Sequence, residues 1–279
     1  MSQKTKRIQY LAVGHIARDV IAKGTKPGGT AVFSARLAQT LGRHTAVVTS
    51  TRPDYDLRQT LPHIPLHNVP ATADTTFENQ YDGNQRTQYL RSAASTIQPT
   101  DIPDAWRTAE IVHLGPIANE IDPAVIDLFD PSQQLIGLTP QGWMRRWDEH
   151  GRVSAQRFPA AEKLLRRATI VVISEEDLLD DAMLDQYRAW ANILVMTQNY
   201  AGCRVFVHQQ EGLHVPAMRQ NPVDPTGAGD IFAAALFIRY ALNGQDALEA
   251  AYYANFIASQ SVTKADLAQK VVAWREIPG

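Results

Sequence analysis

One stretch of the sequence combines residue types and spacing that can do chemistry. It runs Asn221-Pro222-Val223-Asp224-Pro225-Thr226-Gly227-Ala228-Gly229-Asp230 and opens the apolar run Ile231 to Tyr240. Proline, aspartate and threonine end an extended segment, and two glycines one residue apart permit a tight turn without Cβ clashes. The residues Ile231 to Ile238 read as a buried helix. The backbone N–H groups of Gly227, Ala228 and Gly229 then lie at its N-terminus, where no intrahelical carbonyl can take them. Such amides form an anion hole suited to the charge on a phosphoryl group in transfer. Asp230, in the first turn, is placed to accept a proton from a hydroxyl nucleophile held against the same phosphate. Without that chemistry the glycines are only a turn and Asp230 only a helix-start carboxylate.

The elements that must position this stretch alternate between short apolar runs and helical patterns. Ile8 to Gly14 reads as a first core strand, and Asp19 follows in Gly14-His15-Ile16-Ala17-Arg18-Asp19. That places a carboxylate near the carboxyl edge of the strand, where open α/β sheets bind ligands. Lys26-Pro27-Gly28-Gly29-Thr30 precedes a helical pattern from Ala31 to Leu41, and the double glycine lets backbone approach a ligand closely. Ile111 to Leu114, Gln134 to Leu138, Ile170 to Ile173 and Ile193 to Thr197 are compact apolar runs suited to buried parallel strands. Pro123 to Phe129 between two of them reads as a helix with proline in its first turn, where proline is favoured. This βαβ rhythm predicts a parallel sheet covered by helices. Thr75 to Leu90, broken by Asp82-Gly83-Asn84, reads as a hairpin, because Asp-Gly is a strong turn signal. Ser174-Glu175-Glu176-Asp177 has the form of a capping box, and its carboxylates could hold a water-bridged Mg²⁺. Gln141-Gly142-Trp143-Met144-Arg145-Arg146-Trp147 reads as packing, with Trp143 or Trp147 the alternative as a wall of the substrate cleft.

The string Val223 to Asp230 before an Ala-rich helix resembles the C-terminal signature of the ribokinase-like carbohydrate kinases, the phosphofructokinase B family. The resemblance covers most of the chain and is weakest at the first lid segment. It implies a three-layer α/β sandwich with a mostly parallel central sheet, one domain over 1–279, and a reduced β lid formed mainly by about 74–92. It implies ATP and Mg²⁺ as cofactors, Asp230 as base, and the Gly227, Ala228 and Gly229 amides as the anion hole. Asp19, Gly28 and Gly29 would meet a polyol, while Phe33 stands where the family's sugar-binding asparagine is expected and could offer an apolar wall. Thr197, Asn199, Gly202, Thr226 and Asn255 would lie about the nucleotide, with Asn199 replacing the first glycine of a Thr-x-Gly-x-x-Gly turn. Ser174 and Asp177 replace both defining positions of the family's Asn-x-x-Glu motif, leaving Glu176, Asp177 and Asp224 as water-mediated metal candidates. The segment Gly28 to Phe33, the truncated first lid segment and the Cys203-Arg204 strand look most like the myo-inositol kinase branch. A nucleoside or hexose kinase of the same fold, or a ligand-binding pseudokinase, is the competing expectation.

The bulk numbers narrow the classes. A length of 279 residues suffices for a full core, and a formal net charge of −2 gives no basic footprint, so nucleic acid is not an expected partner. The single cysteine, Cys203, excludes an intrachain disulfide, and no apolar window approaches the roughly 18 residues of a membrane span. A basic N-terminus without a signal-peptide apolar region points to a cytoplasmic protein. Pairing of two copies through the lid is left open by strands read as shortened. No Walker-A string is present, and Gly14-His15-Ile16-Ala17 lacks the glycine fingerprint of a nicotinamide dehydrogenase.

Overall fold

A computed structural model describes residues 7–82 and 85–272 of the chain. Its main sheet has nine strands. From one edge they run Leu213–Val215, Cys203–Val207, Ile193–Thr197, Ile170–Ser174, Leu135–Leu138, Ile111–Leu114, Tyr10–Val13, Thr45–Thr51 and Leu66–Pro70. All neighbours pair in parallel except Ile193–Thr197 with Cys203–Val207, and Cys203–Val207 with Leu213–Val215, which are antiparallel. The central strands are buried on both faces, which explains why they read as continuous apolar runs without polar alternation.

Side-chain alternation divides the core in two. Tyr10, Ala12, Ile170 and Val172 point into one layer, Leu11, Val13, Val171 and Ile173 into the other. The first layer is completed by helices α1 (Thr30–Thr40), α5 (Ala228–Leu242), α6 (Ala247–Ser261) and α7 (Leu267–Val272). The second is completed by α3 (Ala161–Arg167) and α4 (Asp181–Trp190), while Leu57 of the one-turn helix α2 (Leu57–Thr60) packs against the first. Pro123–Leu128 also packs there, wound as a tighter 3₁₀ helix rather than an α-helix, with the Asp122 carboxylate capping the Ala124 amide. The ring of Phe237 on α5 lies where a Cβ on Gly137 would sit, so the glycine in that strand lets α5 dock. Among the described residues no helix is long and apolar enough to cross a membrane.

A second sheet of four strands, ordered Gly24–Gly28, Ala17–Ile21, Thr75–Asp82 and Gln85–Ser92, forms the lid. Here the structure corrects the expectation of a truncated first segment. Residues 17–28 make a complete antiparallel hairpin whose five-residue strands are short but fully paired. The compact excursion is enough because Ile21 pairs directly with Gly24, leaving only a two-residue turn. The Gly83-Asn84 turn and the Arg86 side chain lie outside the described residues. Arg91 is ion-paired to Glu78 at 2.7 Å on the lid face.

Candidate active site

The site lies where two helix N-termini and the lid meet. α5 begins after Gly227, which adopts a left-handed conformation with φ 79°. The positive φ expected of the glycine pair is therefore at Gly227, while Gly229 sits in the first helical turn with nothing within 4 Å of where a Cβ would be. The Ala228 amide donates to the Pro225 carbonyl at 3.1 Å, closing the turn, so it drops out of the expected anion hole. Among the described residues no carbonyl or side chain accepts from the Gly227 and Gly229 amides. Those two N–H groups are left open to an acceptor from outside the chain, as helix N-terminal amides that meet anions are.

Asp230 occupies the first turn of α5, and its Oδ1 accepts a hydrogen bond from Thr30 Oγ1 at 2.6 Å. Thr30 is the first residue of α1, placed by Gly29, whose φ of 92° and tight fit against the His15 carbonyl exclude a side chain. Burial pushes the Asp230 carboxyl up to about 6, helped by the negative charge of Asp19 and opposed by the Thr30 hydrogen bond and the Arg145 guanidinium. A carboxylate so poised is ionised at neutral pH yet basic enough to take a proton.

Asp19 is carried by the lid strand Ala17–Ile21 rather than by the edge of the first core strand, and stands opposite Lys26 in register. Its carboxylate lies over Gly28, where a Cβ would collide with it. The double glycine thus serves two purposes, Gly28 making room for Asp19 and Gly29 turning the chain into α1. Beneath these loops the buried Glu120 carboxylate accepts from the amides of His15, Ile117 and Ala118. It ties together the loops that leave two neighbouring strands.

Phe33 does not face the cleft as a wall. It is 4% exposed, and a Cβ on Gly227 would come within 2.5 Å of its ring. The aromatic ring supports the glycine turn from below.

The expected metal candidates do not converge, and among the described residues no cluster of three His, Cys, Asp or Glu side chains can hold an ion. Asp224 is clamped between two lysines, Lys26 Nζ at 2.9 Å and Lys270 Nζ at 3.5 Å. Burial would raise its carboxyl, but hydrogen bonds from Thr226 and Lys26 and the charge of Lys270 outweigh it and hold it near about 2. Glu176 accepts from the Asn199 side chain at 2.9 Å. Asp177 accepts from Gln141, and burial pushes its carboxyl up despite the Arg145 charge.

Of the residues expected about a nucleotide, Thr226 lies in the turn before α5 against Lys26 and Lys270, and the others fall on the neighbouring edge of the sheet. Asn199 takes a positive φ of 50°, and Thr197 donates to the Ile173 carbonyl at 3.2 Å at its strand's end. Gly202 passes beneath the Val215 carbonyl too closely for any side chain. Asn255 is 5% exposed and its amide donates to the Val215 carbonyl at 2.9 Å, so it fastens α6 to the sheet edge rather than reaching outward. Burial pushes the neighbouring Cys203 thiol up to about 12, which leaves it inert. Trp143 is core, its indole donating to the Ile121 carbonyl, and Trp147 is partly exposed on a short hairpin.

Two residues join the site without having been singled out. Thr30 follows the double glycine, and only the meeting of α1 with α5 discloses its role. Arg145 donates to the Ile117 carbonyl at 3.3 Å, and its charge reaches both Asp177 and Asp230. It belongs to the Gln141 to Trp147 run, whose two tryptophans are the more prominent feature of the sequence.

A family model described as pfkB family carbohydrate kinase matches residues 154–273. An inositol 3-kinase from Zea mays is 26% identical over 281 residues, spanning 92% of this chain and 73% of its own length. A pyrophosphate-dependent kinase in the ribokinase family, solved with a pyrophosphate analog and myo-inositol, superposes with a TM-score of 0.75 at 20% identity, over 91% of this chain and 94% of that one. Arabidopsis thaliana ribokinase, solved with ribose and ATP, has a TM-score of 0.73 at 16% identity, over 98% of this chain and 100% of that one.

Proposed function

Since the chain belongs to the ribokinase-like carbohydrate kinases of the pfkB family, we propose that it transfers a phosphoryl group from ATP to a hydroxyl of a small polyol, with a cyclitol such as myo-inositol as acceptor. The observation that carries this reading is the Asp230 carboxyl, raised to about 6 and set in the helix turn that presents the Gly227 and Gly229 amides. Thr30 holds one carboxylate oxygen, and the other takes the proton of the attacking hydroxyl. The two amides receive charge on the transferred oxygens, and the nearby Arg145 guanidinium adds a second positive field. Asp19, brought in on the lid, holds acceptor hydroxyls. A binding-only pseudokinase has no use for a base so tuned.

Magnesium ordinarily accompanies ATP, chelated by its phosphates and several waters. Asp224 is neutralised by lysines and Glu176 is engaged by Asn199, so these carboxylates do not fit a protein-held ion. The inositol reading draws support from the Zea mays relative and from the solved kinase holding myo-inositol. Because that solved kinase is pyrophosphate-dependent, the donor is part of the test. Phosphoryl transfer should be followed by ³¹P NMR with ATP or pyrophosphate against cyclitols, pentoses, hexoses and nucleosides. Product from ATP with a cyclitol, above all other acceptors, is the expected result. Ribose or a nucleoside clearly outperforming every cyclitol would overturn the acceptor assignment, and turnover with pyrophosphate alone would overturn the donor.

A further inference from the structure

Lys270, on α7, is almost wholly buried, with its side chain 1% exposed. Its ammonium has three N–H donors and meets three oxygens: the Thr226 carbonyl at 2.5 Å, the Asp224 carbonyl at 2.8 Å and Asp224 Oδ2 at 3.5 Å. The ring of Phe33 lies below, its centroid 5.9 Å from Nζ. An unpaired buried ammonium would be strongly destabilising, so this arrangement holds only while both carbonyls point inward.

The consequence for the site follows from peptide geometry. In a trans peptide the C=O of one residue and the N–H of the next point in opposite directions. The Thr226 carbonyl, drawn inward by Lys270, therefore turns the Gly227 N–H outward. Gly227, at φ 79°, is the one residue of the turn whose backbone could otherwise swing that peptide over with little steric resistance. We propose that Lys270 is the positioning residue of the anion hole, an internal cation that holds the Thr226–Gly227 peptide with its amide facing the phosphoryl group. Lys26 grips Asp224 from the lid side, but its ammonium reaches only side-chain oxygens, Asp224 Oδ2 and Thr226 Oγ1. Lys270 alone of the two holds the backbone. A further result is that the pocket beneath the turn is already filled by a cation of the chain itself.

The catalytic part of this proposal rests on the kinase reading, whereas the turn geometry does not, so the test reads both. Lys270→Met removes the charge and leaves a small hollow lined by two carbonyls and a carboxylate. Hydrogen exchange over 221–233 is expected to speed up by about tenfold, since the turn would open locally. The phosphoryl-transfer kcat should fall by about tenfold or more with acceptor KM little changed, as expected when charge stabilisation in the transition state is lost. Ammonium or potassium, small enough to enter the hollow, should restore part of both, and tetramethylammonium should not. Unchanged exchange, or a folded variant whose exchange responds to none of these cations, would overturn the proposal even if no acceptor is ever found. Should Lys270→Met fail to fold, the unmodified protein decides. Its turnover, or with no acceptor its hydrogen exchange over 221–233, should be equal in potassium and tetramethylammonium salts, and a several-fold potassium effect would mean that Lys270 does not fill the site.

Discussion

Thr30 Oγ1 donates to Asp230 Oδ1 at 2.6 Å, joining the first residue of α1 to the first turn of α5 across 200 positions of sequence. The bond stabilises the ionised carboxylate and so opposes the burial that raises it. Thr30→Val keeps the shape and removes the donor. The acid limb of kcat/KM against pH should then move upward from its position near about 6, and turnover at pH 6 should fall by about threefold or more. An unmoved acid limb would show that the bond does not act on the base.

Asp230→Asn separates catalysis from stability. Turnover should drop by about 10²-fold or more, the usual scale for losing a general base. Because the folded carboxyl sits at about 6, above its ordinary 3.8, the folded state favours the protonated form. The stability this group contributes is therefore complete below about 3.8 and is lost as pH rises through about 6. The neutral asparagine should make the protein more stable at pH 7.5, by about 1–3 kcal/mol, with the gain vanishing near pH 4. Denaturant melts at the two pH values check this. A variant less stable at pH 7.5 would contradict the assigned strain.

The two glycines of the turn should respond differently to alanine. At Gly227 a Cβ meets the Phe33 ring at 2.5 Å and the left-handed backbone disfavours it, so Gly227→Ala should destabilise by about 1–3 kcal/mol. At Gly229 the space is open and the residue is helical, so Gly229→Ala should fold as well as the parent. Its methyl group should nonetheless obstruct the phosphates and weaken donor binding by about tenfold in calorimetry. Parental donor affinity in Gly229→Ala would place the donor elsewhere.

Arg145→Met should lower turnover by about tenfold or more, because a positive field facing the transferred group is lost. It should also shift the acid limb of the pH profile upward, since the guanidinium opposes the rise at Asp230. Arg145→Lys should restore the limb more than the rate, as an ammonium replaces the charge without the planar fork. Equal rates in all three proteins would remove Arg145 from the site.

Much of the fold is legible in the sequence because its strands are buried on both faces. Ile170 to Ile173 and Ile193 to Thr197 announce themselves by apolar continuity alone. The turn into α5 is legible as well, since glycine spacing and an apolar run are local signals. Roles that depend on partners distant in the chain are not. Phe33 reads as a cleft wall until Gly227 is seen above it, and Asn255 as a nucleotide contact until the Val215 carbonyl is found at its amide. Asp224 reads as a metal candidate until two lysines from opposite ends of the chain are seen to neutralise it. Arg145 carries no local pattern, and only the proximity of Asp177 and Asp230 discloses it.

The lid also bears on the order in which the molecule assembles. Each of its hairpins closes locally, Ile21 with Gly24 in one and Asp82 with Gln85 in the other. They are joined by the parallel pairing of Ala17 with Thr75 and its neighbours, and by the Arg18–Asp74 ion pair, across a chain segment that contains α1 and two strands of the main sheet. Closing that long loop carries an entropy penalty that an isolated ribbon cannot offset. The acceptor side of the site should therefore be the last part to form, and hydrogen exchange pulsed during refolding should find the amides of 17–28 protected after those of Tyr10–Val13 and Ile111–Leu114.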